Sequence, residues 1–241
     1  MDEILKYFPK LSETQGYLLK TYSDRLIWWN ARINLISRQD TENVVLHHIL
    51  HSLAIAKCFQ FPPGTRILDL GTGGGLPGIP LAIYFPDCTF TLIDSRGKKI
   101  KAVRSIIEEL HLRNVKAIHA RAEEFDGEFD FVVTRAVATL TELIAWTKHY
   151  FRKGEAGEVP MTKFGEGGAI RERGLIVLKG GDLKKETETM GKMGKAGEVG
   201  KKVHFLPIYV FFPEPYFLEK FIVFIPITWA PVSPILPVTP D

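Results

Sequence analysis

The chain has 241 residues, 31 Lys and Arg against 28 Asp and Glu, and 45% hydrophobic residues, a balance that excludes wholesale disorder and allows one sizeable core. Two cysteines, Cys58 and Cys88, exclude a disulfide framework and read as buried thiols in a reducing compartment. The acidic start, and an apolar run near 221–232 that Pro226 interrupts, point to neither a signal peptide nor a membrane span, so a cytoplasmic protein is expected.

Ser12 and Gln15 have the spacing of a capping box, and Leu18, Tyr22, Leu26, Trp29 and Ile33 continue as one apolar helical stripe. A second helix is predicted from Glu42 to Phe59, with Leu46, Ile49, Leu53 and Ala56 on one face, before Pro62-Pro63-Gly64 breaks the chain. Strands and helices then alternate. Strands are predicted at 66–70, 89–94, 115–119, 129–134 and 174–179, and helices at 77–84, 97–111, 139–151 and 182–190. This alternation implies parallel strands joined by right-handed crossovers. Two last strands, 204–212 and 219–226, are joined by a connection too short for a helical crossover, so one strand is antiparallel. Pro231, Pro234, Pro237 and Pro240 favour a polyproline II tail.

Of 21 glycines, five fall in 71–78 and twelve in 152–202. The second group is spread through Lys- and Glu-rich sequence and reads as solvated insertions near 153–173 and 191–201. The first follows a strand directly, as Gly71-Thr-Gly-Gly-Gly-Leu-Pro-Gly78, where glycine lets the backbone approach a ligand. Asp94 ends the next strand, where a carboxylate can hold both hydroxyls of a ribose. The unit 66–94 is therefore expected to hold an adenosine-bearing cofactor. Residues 73–78 satisfy Gly-x-Gly-x-x-Gly, which keeps NAD as an alternative. Asp69 at the strand end suits an amine-bearing cofactor better than a pyrophosphate. S-adenosylmethionine (AdoMet) fits best.

The run Asp69-Leu-Gly-Thr-Gly-Gly-Gly-Leu-Pro-Gly-Ile-Pro-Leu-Ala82 resembles the 16S rRNA guanine-N7 methyltransferases, the RsmG or GidB family. Trp29-Asn30, Asn34-Leu35, His48-Ile49-Leu50 with Ser52, Leu92 to Lys99, Arg121 to Phe125, Thr134 to Ala138 and Leu178 to Gly181 are similar to that family in the same order. The family has Arg and Asp where this chain has His47 and His51. The resemblance implies an α/β fold, a Rossmann-like seven-stranded class I AdoMet-dependent methyltransferase sheet with an N-terminal helical cap. It divides the chain into a cap at 1–61, a core at 62–227 and a Pro-rich tail at 228–241. It also implies cofactor contacts at Gly71, Leu76, Ala122, Glu123 and Arg135. The reading of the residues adds Asp69, Gly73, Gly75 and Asp94. Arg135, at the end of a strand that points into the site, is the candidate catalytic residue.

Between Ser95 and Arg104 lie five basic residues and no acidic one: Arg96, Lys98, Lys99, Lys101 and Arg104. Beside a cofactor site they are candidate contacts to RNA phosphates. The expected partner is small-subunit rRNA, or an assembling small-subunit particle, met by a monomer. His47, His48 and His51 invite a metal reading, but no second ligand cluster accompanies them, and no metal is expected. Two alternatives stand beside rRNA methylation: an AdoMet-dependent methyltransferase of another substrate, and a non-catalytic RNA-binding assembly factor.

Overall fold

A computed structural model describes residues 2–135, 138–151, 162–164, 169–170, 172–183, 186, 188 and 203–227. In chain order its α-helices are α1 (Asp2–Tyr7), α2 (Glu13–Asn30), α3 (His51–Cys58), α4 (Gly78–Tyr84), α5 (Gly97–Glu109) and α6 (Leu140–Thr147). Its strands are β1 (Phe59–Gln60), β2 (Arg66–Leu70), β3 (Thr89–Asp94), β4 (Val115–His119), β5 (Phe131–Arg135), β6 (Thr162–Phe164), β7 (Ala169–Ile170), β8 (Arg173–Gly180), β9 (His204–Pro207) and β10 (Lys220–Ile227).

Seven strands form one sheet in the order β4-β3-β2-β5-β8-β10-β9. Only β10 runs against its neighbours, pairing antiparallel with both β8 and β9. The other pairings are parallel. The central strands are buried on both faces and alternate strictly. Ile67, Phe131, Val133, Ile176, Leu178, Ile222 and Phe224 pack into the core under α1–α5. Leu68, Leu70, Val132, Leu175, Val177, Val223 and Ile225 pack into a second core with α6, Tyr150 and Leu183. Near-continuous apolar runs of this kind belong to a parallel sheet covered on both sides.

The capping box forms as expected: Ser12 Oγ accepts from Gln15 N at 3.2 Å, and Gln15 Oε1 accepts from Ser12 N at 3.0 Å. Gln15 Nε2 also donates to the carbonyls of Ile83 and Tyr84, tying the start of α2 to the end of α4.

Four expectations are corrected. The helix expected over 42–59 is a 3₁₀ turn at Arg38–Asn43, a π-type segment at Val44–Leu50, and then α3. A π-type turn persists where outside contacts compensate for its poorer backbone packing. Here Asp40 holds His47 and Arg135 holds His48. The strand expected over 204–212 stops at Pro207, because Ile208 and Phe212 turn inward, and Phe212 packs its ring 4.8 Å from Tyr7. The helix over 139–151 ends at Thr147, since Tyr150 and Phe151 pair with Phe129 instead. Inside the first insertion, β6 and β7 form a small antiparallel sheet with β1, using the strand edge that Phe59–Gln60 offers. The helix expected at 182–190 lies largely outside the described residues, and the insertion 191–201 and the tail 228–241 lie wholly outside them.

Candidate functional site

β2 delivers the chain into the glycine loop at the carboxyl edge of the sheet. Gly71 (φ 70°) and Gly75 (φ 98°) lie in the left-handed region, where a side chain is strained. A Cβ on Gly75 would also meet Ile79 Cδ1 at 2.5 Å. The loop is held from both sides. Thr72 N donates to Ile93 O at 2.9 Å, and the Tyr22 hydroxyl, from α2, donates to Gly74 O at 3.1 Å.

Asp69 braces the loop from beneath. Its Oδ2 accepts from Thr72 Oγ1 at 2.6 Å and from Gly78 N at 2.8 Å. The side chain is fully buried, and burial pushes its carboxyl up to about 7. Its Oδ1 has no hydrogen-bond partner among the described residues, so the bracing role leaves one carboxylate oxygen uncommitted. Leu76 is likewise a core residue at 2% exposure, and Gly75 is buried with it; the Leu76 N–H serves the loop by donating to Thr72 O.

The cleft opens at the carboxyl edge of the sheet. It is lined by Leu70, Gly71, Ile93, Asp94, Ser95, Trp146 and the segment Ala120–Glu123. The Asp94 carboxylate is fixed by two backbone donors, Gly73 N at 3.0 Å to Oδ2 and Arg96 N at 2.8 Å to Oδ1. A carboxylate accepts about four hydrogen bonds, so capacity remains for two ribose hydroxyls. Ala122 O accepts from the Tyr150 hydroxyl, which anchors the segment that carries Glu123. These residues fit an adenosine: a carboxylate able to accept from the ribose, and backbone groups and an indole able to meet the base. The structure thus brings Gly71, Gly73, Asp94, Ala122 and Glu123 together.

Arg135 ends β5 on the face of Val133 and Asp69, under the N-terminal helices. Among the described residues its side chain makes one hydrogen bond, Nη1 donating to His48 Nδ1 at 3.0 Å. Burial lowers its basicity, and the carboxylates of Asp69 and Asp40 favour its charge from beyond ion-pair contact. Burial, then Arg135, lower His48 to about 4, so its ring is neutral. His47 Nδ1 lies 2.8 Å from Asp40 Oδ1, and its ring stacks on Tyr216 at 3.7 Å. His51 is buried against Tyr216 and Phe217. Among the described residues no group of His, Cys, Asp and Glu is arranged to hold a metal ion.

Arg96, Lys98 and Lys101 stand exposed at the start of α5, beside Asp94, and Lys99 is half-buried against Gly73. Arg104 is partly committed elsewhere, its Nε donating to Ala117 O at 2.8 Å. Sequence reasoning gave no site role to Ser95, which lies within the run Leu92 to Lys99, and missed Trp146 and Tyr150, whose positions carry no motif. It placed Tyr22 in an apolar stripe, although the hydroxyl on a buried tyrosine was a signal that a polar partner waits there.

The sequence model of the family GidB, rRNA small subunit methyltransferase G, matches residues 15–160. The chain is 49% identical to the ribosomal RNA small subunit methyltransferase G of Bacteroides thetaiotaomicron over 78% of this chain and 85% of that one. It is 42% identical to the protein of the same name from Porphyromonas gingivalis, over 93% of this chain and 92% of that one. A SAM-dependent methyltransferase from Aquifex aeolicus shares the fold at 12% identity and a TM-score of 0.53, covering 79% of this chain and 96% of that one. With more than half its length inside the family match and relatives aligned nearly end to end, the chain belongs to the rRNA small subunit methyltransferase G family.

Proposed function

We propose that this methyltransferase moves the methyl group of AdoMet to N7 of a guanine in the decoding-region loop of small-subunit rRNA. It acts as a cytoplasmic monomer, on free rRNA or on an assembling particle. Among the described residues no helix is long and apolar enough to cross a membrane. The observation that carries the reading is the cleft at the carboxyl edge of the sheet, where Asp94, held by Gly73 and Arg96, shares the lining with Ala122 and Glu123. In the proposed site Gly71 and Gly73 face the methionine portion, Asp94 holds the ribose, and Ala122 and Glu123 meet the adenine. Gly75 and Leu76 keep the loop in shape. The helical segment 1–61 acts as a cap on the core 62–227, gripping the glycine loop through Tyr22.

When bound, AdoMet supplies an electrophilic sulfonium methyl. Guanine N7 carries a free lone pair at neutral pH, so the chain has no proton to remove before attack. Its task is to align donor and acceptor, and alignment alone is worth several orders of magnitude in rate. Arg135 brings a guanidinium whose hydrogen-bond partner, His48, is neutral, and it positions the cofactor carboxylate or the guanine. N7 lies in a groove of A-form RNA too deep and narrow for side chains, so the base is taken from a loop or flipped out. The basic start of α5 holds the flanking phosphates.

Nucleoside mass spectrometry of rRNA from cells lacking the protein tests the substrate. N7-methylguanosine at the decoding-region loop is expected to vanish and to return with the gene. Its persistence would reject the assignment. A chain that binds rRNA but shows no calorimetric affinity for AdoMet would instead be an assembly factor.

A further inference from the structure

We propose that His48 is a positioning residue for methyl transfer, its Nδ1 holding the Arg135 guanidinium in its working orientation and Asp40 setting the tautomer that makes Nδ1 an acceptor. This rests on the reading of Arg135 as a site residue. A guanidinium only donates. The 3.0 Å contact from Arg135 Nη1 therefore fixes the lone pair on His48 Nδ1 and the proton on Nε2. Nε2 makes no hydrogen bond among the described residues; Asp40 Oδ2 lies 3.7 Å from it, beyond hydrogen-bond reach, and the carboxylate's charge favours a proton on that nitrogen. Asp40 is itself held by His47 through its other oxygen.

The ring is placed rigidly. His48 is 6% exposed, and its carbonyl accepts from Ser52 Oγ at 2.7 Å. It sits in the π-type segment Val44–Leu50, an irregularity that recurs at functional sites. A histidine already neutral gives Arg135 direction without quenching its charge, as a carboxylate would. The arginine stays available to an anionic or electron-rich ligand group. Because His48 is the single hydrogen-bond partner of this side chain among the described residues, its removal leaves a long, strand-end arginine without a fixed direction.

The test is methyl transfer from AdoMet to small ribosomal subunits that lack the modification. It compares wild type, Arg135→Ala, His48→Asn, His48→Gln, His48→Leu and Arg135→Ala/His48→Leu, each checked by thermal melting. Asn carries its acceptor near the position of Nδ1, whereas Gln carries it one bond further out. Expected are a loss of tenfold or more in kcat/KM for His48→Leu and His48→Gln, and retention of at least a third of the activity by His48→Asn. The double variant should be within twofold of Arg135→Ala, because His48 acts through the arginine. Equal losses for Asn and Gln, or full additivity in the double variant, would overturn the proposal. If His48→Leu fails to fold, the contrast between Asn and Gln decides alone. An impaired Arg135→Ala beside an active His48→Gln rejects the positioning role only. A fully active Arg135→Ala rejects the site role of Arg135 and the positioning role with it.

Discussion

Asp94 does two things with one carboxylate: it fixes the backbone of Gly73 and Arg96, and it presents an acceptor to the cleft. Its loss therefore loosens the loop and the cofactor together. Asp94→Ala is expected to raise the Kd for AdoMet at least about tenfold, or ~1.4 kcal/mol, by calorimetry. Asp94→Asn, which keeps one acceptor oxygen, should fall between. Gly75 is a second residue with a plain consequence. Alanine there must accept φ 98° and a Cβ at 2.5 Å from Ile79, so Gly75→Ala should cost about 1–3 kcal/mol in urea unfolding. Both positions were legible in the sequence, because five glycines followed by an acidic strand end leave few other meanings. The bracing role of Asp69 was not legible, since its Oδ2 meets Thr72 and Gly78 only once the loop has folded back over the strand end. The partnership of Arg135 with His48 was not legible at all, since the two are 87 residues apart and meet only through the tertiary fold.

Among the elements, α5 carries the most exposed basic charge at the site. Its inner face is Ile100, Ala102, Val103, Ile106 and Ile107, so Lys98 and Lys101 are free to face an RNA phosphate. Lys98→Glu/Lys101→Glu should weaken rRNA binding and lower the slope of log K against log salt by about 2, roughly one for each lysine. Filter binding at several salt concentrations reads this, and an unchanged slope would remove α5 from the RNA surface. The helix was predictable from its periodicity, and so was the capping box of α2. Elements went wrong where the backbone answers to distant partners. The π-type segment exists because Asp40 and Arg135 pull on neighbouring histidines, and β9 ends early because Ile208 and Phe212 are drawn into the core under α1. Neither pull has a local signature.

At the scale of the whole molecule, the order of strands followed from alternation and from one short connection, which together leave a single antiparallel strand near the sheet's end. The same sheet buries ionisable groups on the face under the helical segment, and these make stability depend on pH in two opposed ways. His48 is lowered to about 4 in the fold, from an ordinary 6.5, and His51 is lowered by its burial too. Below pH 6.5 the unfolded chain binds these protons more tightly, so stability present above that value is lost as pH falls toward 4, by roughly 3 kcal/mol for His48 at the limit. Asp69 works in the other direction. Its carboxyl is raised from 3.8 to about 7, so the folded chain binds the proton more tightly, and stability present at low pH is lost as pH rises through 7. Between pH 5 and 6.5 the two histidines outweigh the one aspartate, and near pH 7 the opposed slopes cancel. The free energy of urea unfolding should therefore rise from pH 5, level off near pH 7 and stay level to pH 8. His48→Asn should flatten the acid limb, and Asp69→Asn should roughly double its slope between pH 5 and 6.5. An Asp69→Asn slope equal to that of the wild type would mean that Asp69 stays ionised in the fold, its charge held by Arg135 across the same buried face.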